Sequence, residues 1–368
     1  MVLIIISIIF LAYASLIVGA IIGINKKTVI AEELNSSPTK FSVLIPFRNE
    51  ASNLKNLILS LNNIDYNKTA FELIFINDHS TDCFENNFSH LKKQLNHKLL
   101  YLASNIEGKK NAILEGLKLA KHDYIITLDA DCIVPENILS SYNFIIKNEA
   151  YDMIVGSVML TSSNQLVEKF QYLDYLAMQG VGLGWANLNQ PFLCSGANLC
   201  YKKSVFKKLN PFEGNLKVAS GDDLFTLVKF KKAKMKIGTN LKAVVLSSSQ
   251  SSWKSLFSQR KRWLSKNSLI TDSFFKLASG IVFFTNLSLL LLVFLCFIDL
   301  TYLEYLFIFF ALKFILDYTL MYQTGYKFNT ELCWKDVIKI SLIYPSLLVI
   351  IFLVNFSNNN IWKNRNIN

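Results

Sequence analysis

The chain places long apolar segments at both ends of a more polar centre, and this separation limits the folds that it can adopt. Residues 2–24 form an uncharged apolar run, and three more apolar segments cover 279–298, 303–322 and 337–355. Each approaches the length that crosses about 30 Å of hydrocarbon at about 1.5 Å per residue. Since 18% of the 368 residues are charged although 52% are hydrophobic, the sequence predicts a large soluble domain combined with membrane spans.

The charges that flank the apolar segments predict how the chain is oriented. Lys26 and Lys27 directly follow the first run, and no positive residue precedes it. We therefore expect residues 1–25 to remain as an uncleaved anchor, and the positive-inside rule places the following domain in the cytoplasm. The turn at 299–304 lacks Lys and Arg whereas the loop at 325–336 carries both Lys327 and Lys335, which gives the same orientation.

These features predict a multi-pass protein of the cell inner (plasma) membrane, with three transmembrane helices within 279–355. The Ile-, Asn- and Lys-rich composition favours a bacterial source. Lys313 and Asp317 lie four residues apart inside one apolar segment, so on a helix they either pair on one face or line a polar path. We favour the pair.

The charge balance favours membrane surfaces and anionic small molecules over nucleic acid. The net charge is +11, with basic clusters at 229–236 and 254–266. Such clusters suit the anionic face of a bilayer or a nucleotide, and no pattern typical of a nucleic-acid-binding motif accompanies them. The six cysteines lack CxxC spacing and the four histidines are scattered, which argues against structural zinc and a disulfide framework.

The region 40–270 has the pattern of an α/β domain with a mainly parallel sheet. Apolar residues recur at helical spacing from Ala112 to Ala120, so a helix there is expected to cover one face of the sheet. The predicted strands are Phe41–Ile45, Phe71–Ile76, Leu99–Ala103 and Tyr124–Leu128.

Polar clusters follow the first two strands, at the edge where open α/β sheets bind their ligands. The first cluster runs from Pro46 to Glu50 and the second from Asn77 to Asp82. The Asp78 carboxylate can accept hydrogen bonds from a base imide N–H or a ribose hydroxyl, and so hold a nucleotide. Taken alone, each cluster is equally consistent with a loop acid or a helix cap.

Two further acidic pairs carry candidate chemistry. Asp129-Ala130-Asp131 follows an apolar strand, and because Mg or Mn takes oxygen ligands and also binds diphosphate, Asp131 is the candidate metal ligand. Asp222-Asp223 precedes a helical run, where the acids either favour the helix N-terminus or supply a general base. A sugar hydroxyl is a poor nucleophile, so a carboxylate that takes its proton assists attack, and Asp223 is the candidate.

Gln259, Arg262 and Trp263 fall close to one face of a helical stretch that begins near Trp253. Arg262 can clamp a diphosphate, Trp263 offers a flat surface to a sugar ring, and Gln259 offers donors and acceptors to its hydroxyls. The alternative is an amphipathic helix that lies on the membrane. Both interpretations can hold, so we expect an interface helix at the end of the 40–270 domain.

Together these motifs resemble family 2 glycosyltransferases, the group that contains cellulose, chitin and hyaluronan synthases and ceramide glucosyltransferases. The order and spacing of the motifs match across residues 40–266. The resemblance implies a GT-A-like (Rossmann-like) mixed sheet flanked by N-terminal and C-terminal transmembrane helices. The roles that it implies are donor binding at Pro46, Glu50, Asp78, Lys109 and Asp129; metal binding at Asp131; catalysis at Asp222 and Asp223; and acceptor or diphosphate binding at Gln259, Arg262 and Trp263.

The resemblance further implies an inverting hexosyltransferase that uses a divalent cation, Mg or Mn, and a nucleotide-sugar donor, expected to be a UDP-sugar. Ser195-Gly196-Ala197-Asn198 resembles the acceptor-side strand of the family. Two positions depart from the pattern: His79 stands where glycine is frequent, and Asp222 replaces the usual glutamate. Neither departure removes a carboxylate that the chemistry needs.

The sequence leaves the acceptor open. With three C-terminal spans, we expect transfer to a membrane lipid or lipid-linked acceptor, and a processive polysaccharide synthase is the alternative within the same class. A catalytically silent nucleotide-sugar sensor would use the same pocket, but all the expected acids are present. A transporter is supported only by the apolar segments and the Lys313–Asp317 pair.

Overall fold

The computed structural model describes residues 1–26, 37–216, 218, 220–354, 361–362 and 365–366. Lys27 and Asn355, which bound predicted segments, lie outside the described residues. The chain divides into two compact units. We name them the sheet unit (Lys27–Thr161 and Leu193–Ser248) and the helical unit (Met1–Lys26, Ser162–Phe192 and Ser249–Asn368).

An eight-stranded mixed sheet with strand order β3-β2-β1-β4-β7-β6-β8-β5 forms the sheet unit. Strands β1 to β4 run parallel to one another, whereas β7 is antiparallel to β4 and to β6, and β5 is antiparallel to β8. This arrangement confirms the predicted α/β mixed sheet. The strands are β1 (Phe41–Phe47), β2 (Phe71–Asn77), β3 (His97–Tyr101), β4 (Tyr124–Thr127), β5 (Cys132–Ile133), β6 (Met153–Leu160), β7 (Leu199–Lys202) and β8 (Ile237–Ser247).

Apolar residues place the parallel strands in the core, since every residue of β1 and of β2 is buried. The predicted helix over 112–120 forms as part of α3 and covers this part of the sheet: a Cβ atom on Gly116 would lie 3.0 Å from Ile76 and 3.2 Å from Leu44. The α-helices in the described part of the sheet unit are α2 (Ala51–Leu61), α3 (Lys109–Leu119), α4 (Ile138–Asn148), α6 (Lys203–Leu209) and α7 (Asp222–Lys232).

Among its described residues, the helical unit contains four helices that are long and apolar enough to cross a membrane. They correspond to the four predicted apolar segments. They are α1 (Val2–Asn25), α9 (Ser273–Cys296), α10 (Tyr302–Lys327) and α11 (Trp334–Val354).

Two further helices, α5 (Leu166–Asn187) and α8 (Trp253–Ser265), belong to the helical unit although their residues lie within 40–270. Helix α5 packs along α1 and α10. Gly184 of α5 meets the backbone of α1 at Ala20 and Gly23, where no side chain would fit. A short strand pair, β9 (Ile361–Trp362) and β10 (Arg365–Asn366), follows α11.

Candidate active site

The carboxyl ends of β1, β2 and β4 lie at one edge of the sheet, because all three strands are parallel and in register. Phe47 of β1 pairs with Asn77 of β2, and Leu44 pairs with Thr127 of β4. The polar clusters that follow these strands are therefore neighbours. The predicted donor residues and the Asp129-Ala130-Asp131 segment meet at this edge.

Pro46 and Glu50 lie on the first strand and its loop. The pairing of β1 with β4 ends at Leu44, so Pro46 falls where β1 has a single paired neighbour and its missing N–H costs little. Glu50 stands at the N-terminus of α2 and accepts a hydrogen bond from Asn53 Nδ2 at 2.7 Å. Glu50 occupies the N-cap position of α2 without a side-chain bond to the helix backbone, and its charge acts on Asp131.

Asp78 is buried at the end of β2, with 3% of its surface exposed. Its Oδ2 accepts a hydrogen bond from the Gly108 N–H at 3.1 Å. Burial raises the pKa of the Asp78 carboxyl, while that N–H and the Arg48 guanidinium act in the opposite direction. The bond links the end of β2 to the start of α3, the helix that carries Lys109.

His79 occupies a backbone conformation that favours glycine. Its φ is 56°, within the left-handed region that most L-residues avoid. This explains why glycine is frequent at the matching position of the resembled family. The His79 ring compensates by a hydrogen-bonding contact of its Nε2 with the Ile106 carbonyl at 2.9 Å.

Lys109 connects two acidic motifs that are far apart in the sequence. Its Nζ lies 2.7 Å from Asp129 Oδ1 and 2.9 Å from Asp222 Oδ2. Burial lowers the pKa of Lys109, but the Asp129 and Asp222 carboxylates outweigh it and hold that pKa well above its usual value. Lys109 is therefore a fixed cation at the centre of the acidic cluster.

Asp131 follows Asp129 by two residues, and the charges of Asp129, Glu50 and Lys109 act on its carboxyl. Its Oδ2 accepts a hydrogen bond from the Ser247 hydroxyl at 3.3 Å, and β5 is held in place by pairing Cys132 with Ser247. Burial, followed by the charges of Asp129 and Glu50, raises the pKa of Asp131 to about 6. A buried carboxylate among other negative charges is stabilised by a cation.

The donor set fits a divalent cation that also binds phosphate. Asp129 and Asp131 offer carboxylate oxygens, the ligand type that Mg and Mn prefer. Among the described residues, no three His, Cys, Asp or Glu side chains are placed to hold an ion. A divalent cation held by one or two carboxylates takes its remaining oxygen ligands from water and from substrate phosphates.

Asp222 and Asp223 begin helix α7, and the two side chains have different surroundings. Asp222 is 9% exposed, and burial raises its pKa although Lys109 opposes the shift. Asp223 is partly exposed, and its Oδ1 accepts a hydrogen bond from the Leu224 N–H at 2.7 Å. Asp222 is thus held by Lys109, and Asp223 is the more accessible of the pair.

Gly196 and Ser247 were not among the predicted site residues, yet both lie against the acids. A Cβ atom on Gly196 would lie 2.7 Å from Asp222 Oδ2 and 2.9 Å from Lys109 Nζ. The sequence signal for Gly196 was its position in the acceptor-side motif, and the signal for Ser247 was the polar run that ends an apolar strand. Asn198 of that motif is instead a core residue that bonds Tyr142 at 2.7 Å.

Gln259, Arg262 and Trp263 lie together on α8, in the helical unit. Gln259 Oε1 is buried and accepts no hydrogen bond from the described part of the chain. Trp263 has the Arg260 guanidinium carbon 4.5 Å from its ring centroid and the Tyr175 ring at 6.4 Å. The structure thus brings these three residues together, and their relation to Asp223 remains a prediction.

The mixed sheet, with acids at its parallel edge, defines the fold class of the chain as GT-A-like. A solved structure of this fold is the mannosyltransferase PcManGT from Pyrobaculum calidifontis in complex with GDP-Man and Mn2+, with a TM-score of 0.53 and 13% identity. The similarity covers 88% of this chain and 98% of that chain.

Residues 42–209 match the family model Glycosyl transferase family 2. This part of the chain is therefore similar to family 2 glycosyltransferases, the family whose motifs the sequence resembles. The model covers β1 to α6 and includes Asp78, Lys109, Asp129 and Asp131.

Curated relatives carry the name poly-beta-1,6-N-acetyl-D-glucosamine synthase. One from Staphylococcus epidermidis is 25% identical over 180 residues, which is 48% of this chain and 42% of the relative. One from Staphylococcus aureus strain COL is 28% identical over 163 residues, 43% of this chain and 37% of the relative. The chain thus spans less than half the length of the curated relatives that it matches.

Proposed function

We propose that this protein is an inverting glycosyltransferase that moves a sugar from a UDP-sugar to a lipid-linked acceptor at the cytoplasmic face of a membrane. The observation that carries the proposal is the placement of Lys109 between Asp129 and Asp222. These two contacts join Lys109 of the proposed donor motif to Asp129, next to the proposed metal ligand, and to Asp222, next to the proposed base. Asp78 lies at the same edge of the sheet. The relatives named for an N-acetylglucosamine polymer favour UDP-N-acetylglucosamine as the donor.

The proposed donor side consists of the residues at the parallel edge. Asp78 accepts hydrogen bonds from the base or ribose, and Pro46 and Glu50 shape the neighbouring loop. Asp131 would hold a divalent cation, which when bound neutralises charge on the diphosphate, and Asp129 would contribute to the donor site beside it. The Lys109 ammonium, already fixed among carboxylates, adds a second positive charge that requires no reorganisation during the reaction.

The proposed chemical step is a single displacement. The acceptor oxygen attacks the anomeric carbon opposite the bond to the diphosphate, which breaks and leaves its electron pair on the nucleoside diphosphate. Asp223 takes the proton of the acceptor hydroxyl as its oxygen attacks. Asp222, held by Lys109, keeps the start of α7 in position, so that Asp223 faces the acceptor.

The proposed acceptor side is helix α8. Trp263 gives a sugar ring a flat apolar surface, and the buried Gln259 Oε1 can accept a hydrogen bond from a sugar hydroxyl. Arg262 offers a planar set of donors to a diphosphate. Four helices of spanning length support the proposal that the acceptor is held in a membrane.

A second candidate is processive synthesis of a polysaccharide, and the names of the relatives favour it. The two candidates share the donor site and differ in whether the product becomes the next acceptor. The mass of the product separates them. A single glycolipid indicates one transfer, whereas a ladder with a constant increment indicates polymer synthesis.

The test uses the full chain in detergent with a panel of nucleotide sugars, Mg or Mn, and a bacterial membrane lipid extract. We expect nucleoside diphosphate release that needs the cation and falls at least about 100-fold in Asp223→Asn. Asp131→Asn should raise the cation concentration needed for half-maximal rate, and Asp65→Asn, at a distant loop, should match the wild type. Donor binding without release for any acceptor would instead support a sensor.

A further inference from the structure

A buried carboxylate on α5 joins three helices of the helical unit. Asp174 is 9% exposed and lies between two partners: its Oδ2 accepts from the Arg260 guanidinium of α8, and its Oδ1 accepts from the Tyr344 hydroxyl of α11 at 2.9 Å. Arg260 is itself 8% exposed. A guanidinium buried to this extent is stable only beside a countercharge, so Asp174 fixes where Arg260 lies.

Arg260 in turn supports Trp263. The two residues are one turn apart on α8, and the guanidinium carbon lies 4.5 Å from the centroid of the Trp263 ring. Guanidinium groups at this distance attract the face of an indole. The Tyr175 ring of α5 also contacts the indole, with 6.4 Å between centroids. The orientation of Trp263 therefore depends on where Asp174 holds Arg260.

The same face of α5 also contacts residues at the start of α8 and in the loop before it. Gln171 exchanges two hydrogen bonds with the Gln250 backbone, at 2.8 and 2.9 Å, and Phe170 contacts the Trp253 ring at 5.7 Å. Residues 170, 171, 174 and 175 share one helix face, as their spacing requires. Helix α8 thus packs on α5, and Asp174 provides the charged contact between the two helices.

The support continues into the apolar helices. The Tyr344 ring, whose hydroxyl bonds Asp174, lies 5.2 Å from the Lys313 ammonium of α10. Lys313 is paired with Asp317 on its own helix and lies near the Tyr13 ring of α1. A continuous set of polar contacts therefore runs from α1, α10 and α11 through Asp174 to the helix that carries Trp263.

We infer that Asp174 is a positioning residue for acceptor binding, acting through Arg260 on Trp263. This inference rests on the proposed function for the role of Trp263. Removing the carboxylate charge frees the Arg260 guanidinium to turn toward solvent, and the indole then loses the contact that orients it. A displacement of about 1 Å at such a platform lowers kcat/KM for the acceptor by about 100-fold.

The first experiment measures transfer by Asp174→Asn in the full chain while the acceptor extract is titrated. We expect the acceptor-dependent kcat/KM to fall by about 100-fold, mainly through KM for the acceptor, with KM for the donor unchanged. The matched control is Asp336→Asn. Asp336 pairs with Lys169 at 2.9 Å and so also joins α5 to α11. Within the described part of the chain its carboxylate makes no hydrogen bond or ion pair to α8, so this variant should match the wild type. Equal losses in both variants, or none in Asp174→Asn, would overturn the inference.

A double variant separates positioning from general support. If Asp174 acts through Trp263, Asp174→Asn should lower transfer by less than about twofold in a Trp263→Ala background. Independent, multiplying losses would overturn the inference. If Asp174→Asn does not fold, Tyr344→Phe can replace it, because this variant removes only the hydrogen bond from Tyr344 to Asp174. We expect Tyr344→Phe to lower transfer by about tenfold, and it is combined with Trp263→Ala in the same way.

A measurement without activity keeps the inference separate from the proposed function. Hydrogen–deuterium exchange of residues 253–265 should increase in Asp174→Asn and stay unchanged in Asp336→Asn. If the wild type transfers no sugar, the proposed function fails, and exchange still decides whether Asp174 holds α8. Unchanged exchange in Asp174→Asn overturns the inference even if the enzyme is active.

Discussion

Lys109 Nζ lies 2.7 Å from Asp129 Oδ1, and this contact joins helix α3 to the loop after β4. The same ammonium reaches Asp222 at 2.9 Å, so replacing it leaves two carboxylates without their countercharge. We expect Lys109→Met to lower nucleoside diphosphate release by about 100-fold or more, the usual effect of removing one charge-stabilising donor. The measurement is a single-turnover rate with saturating donor and cation.

Helix α3 supplies the control for this prediction. Lys118 lies on the same helix, its side chain is 69% exposed, and it pairs with Glu115 alone among the described carboxylates. Lys118→Met should therefore release diphosphate at the wild-type rate. Similar rates for Lys109→Met and the wild type would mean that Lys109 has a structural role only.

Gly196 leaves no room for a side chain beside the Lys109–Asp222 pair. A Cβ atom there would lie 2.7 Å from Asp222 Oδ2 and 2.9 Å from Lys109 Nζ. We expect Gly196→Ala to separate the pair and lower transfer by about tenfold or more while the protein stays folded. Gly280→Ala is the control, because nothing lies within 4 Å of its added Cβ. Full activity in Gly196→Ala would show that the Lys109–Asp222 contact is dispensable.

The fold followed from local patterns in the sequence. Strands β1, β2 and β4 begin at the predicted residues, because each is a short apolar run bounded by polar loops. Strand β3 begins at His97, two residues before the predicted start, since its exposed ends carry no apolar signal. The candidate acids at the carboxyl edge were predictable for the same reason: parallel strands place their ends together.

The contacts between distant segments were not predictable. Lys109 was assigned to the donor by resemblance, but its contact with Asp222, more than 100 residues away, depends on tertiary packing that no local pattern encodes. The same holds for Asp174, which lies in a helix that carried no motif. The sequence of α5 indicates only a largely apolar helix, and it is the fold that places the Asp174 carboxylate beside Arg260.

Glu72 provides a test of stability that is independent of the proposed chemistry. The buried carboxylate accepts hydrogen bonds from Ser42 at 2.8 Å, the Lys121 N–H at 2.6 Å and Lys98 at 2.9 Å. Burial raises the pKa of Glu72, but these donors outweigh it and leave the pKa below its usual value. A lowered folded-state pKa stabilises the fold above the unfolded pKa of about 4.3 and loses that effect as pH falls.

We therefore expect Glu72→Gln to lower the free energy of unfolding by about 2 kcal/mol at pH 7. The difference from the wild type should shrink as the pH falls below the unfolded pKa of about 4.3 and through the lower folded-state pKa, where the native carboxyl becomes neutral. The difference in unfolding free energy is measured by thermal unfolding in detergent between about pH 3.5 and 7, which brackets the unfolded pKa of about 4.3. Glu115→Gln, which breaks only the Lys118 pair on an exposed surface, should change stability by less than about 0.5 kcal/mol. A difference that is constant with pH would contradict the assignment to the Glu72 charge.

Lys313 and Asp317 form the predicted pair on α10, and the Tyr13 hydroxyl of α1 also bonds Asp317. Lys313 is 5% exposed, so Lys313→Met should leave an uncompensated charge among apolar helices and destabilise the helical unit by about 3 kcal/mol. The double variant Lys313→Met with Asp317→Asn removes both charges and should recover most of that loss. Thermal unfolding of both variants in detergent measures the difference. A double variant that is less stable than Lys313→Met would mean that the Asp317–Tyr13 bond, rather than the ion pair, holds α1 to α10.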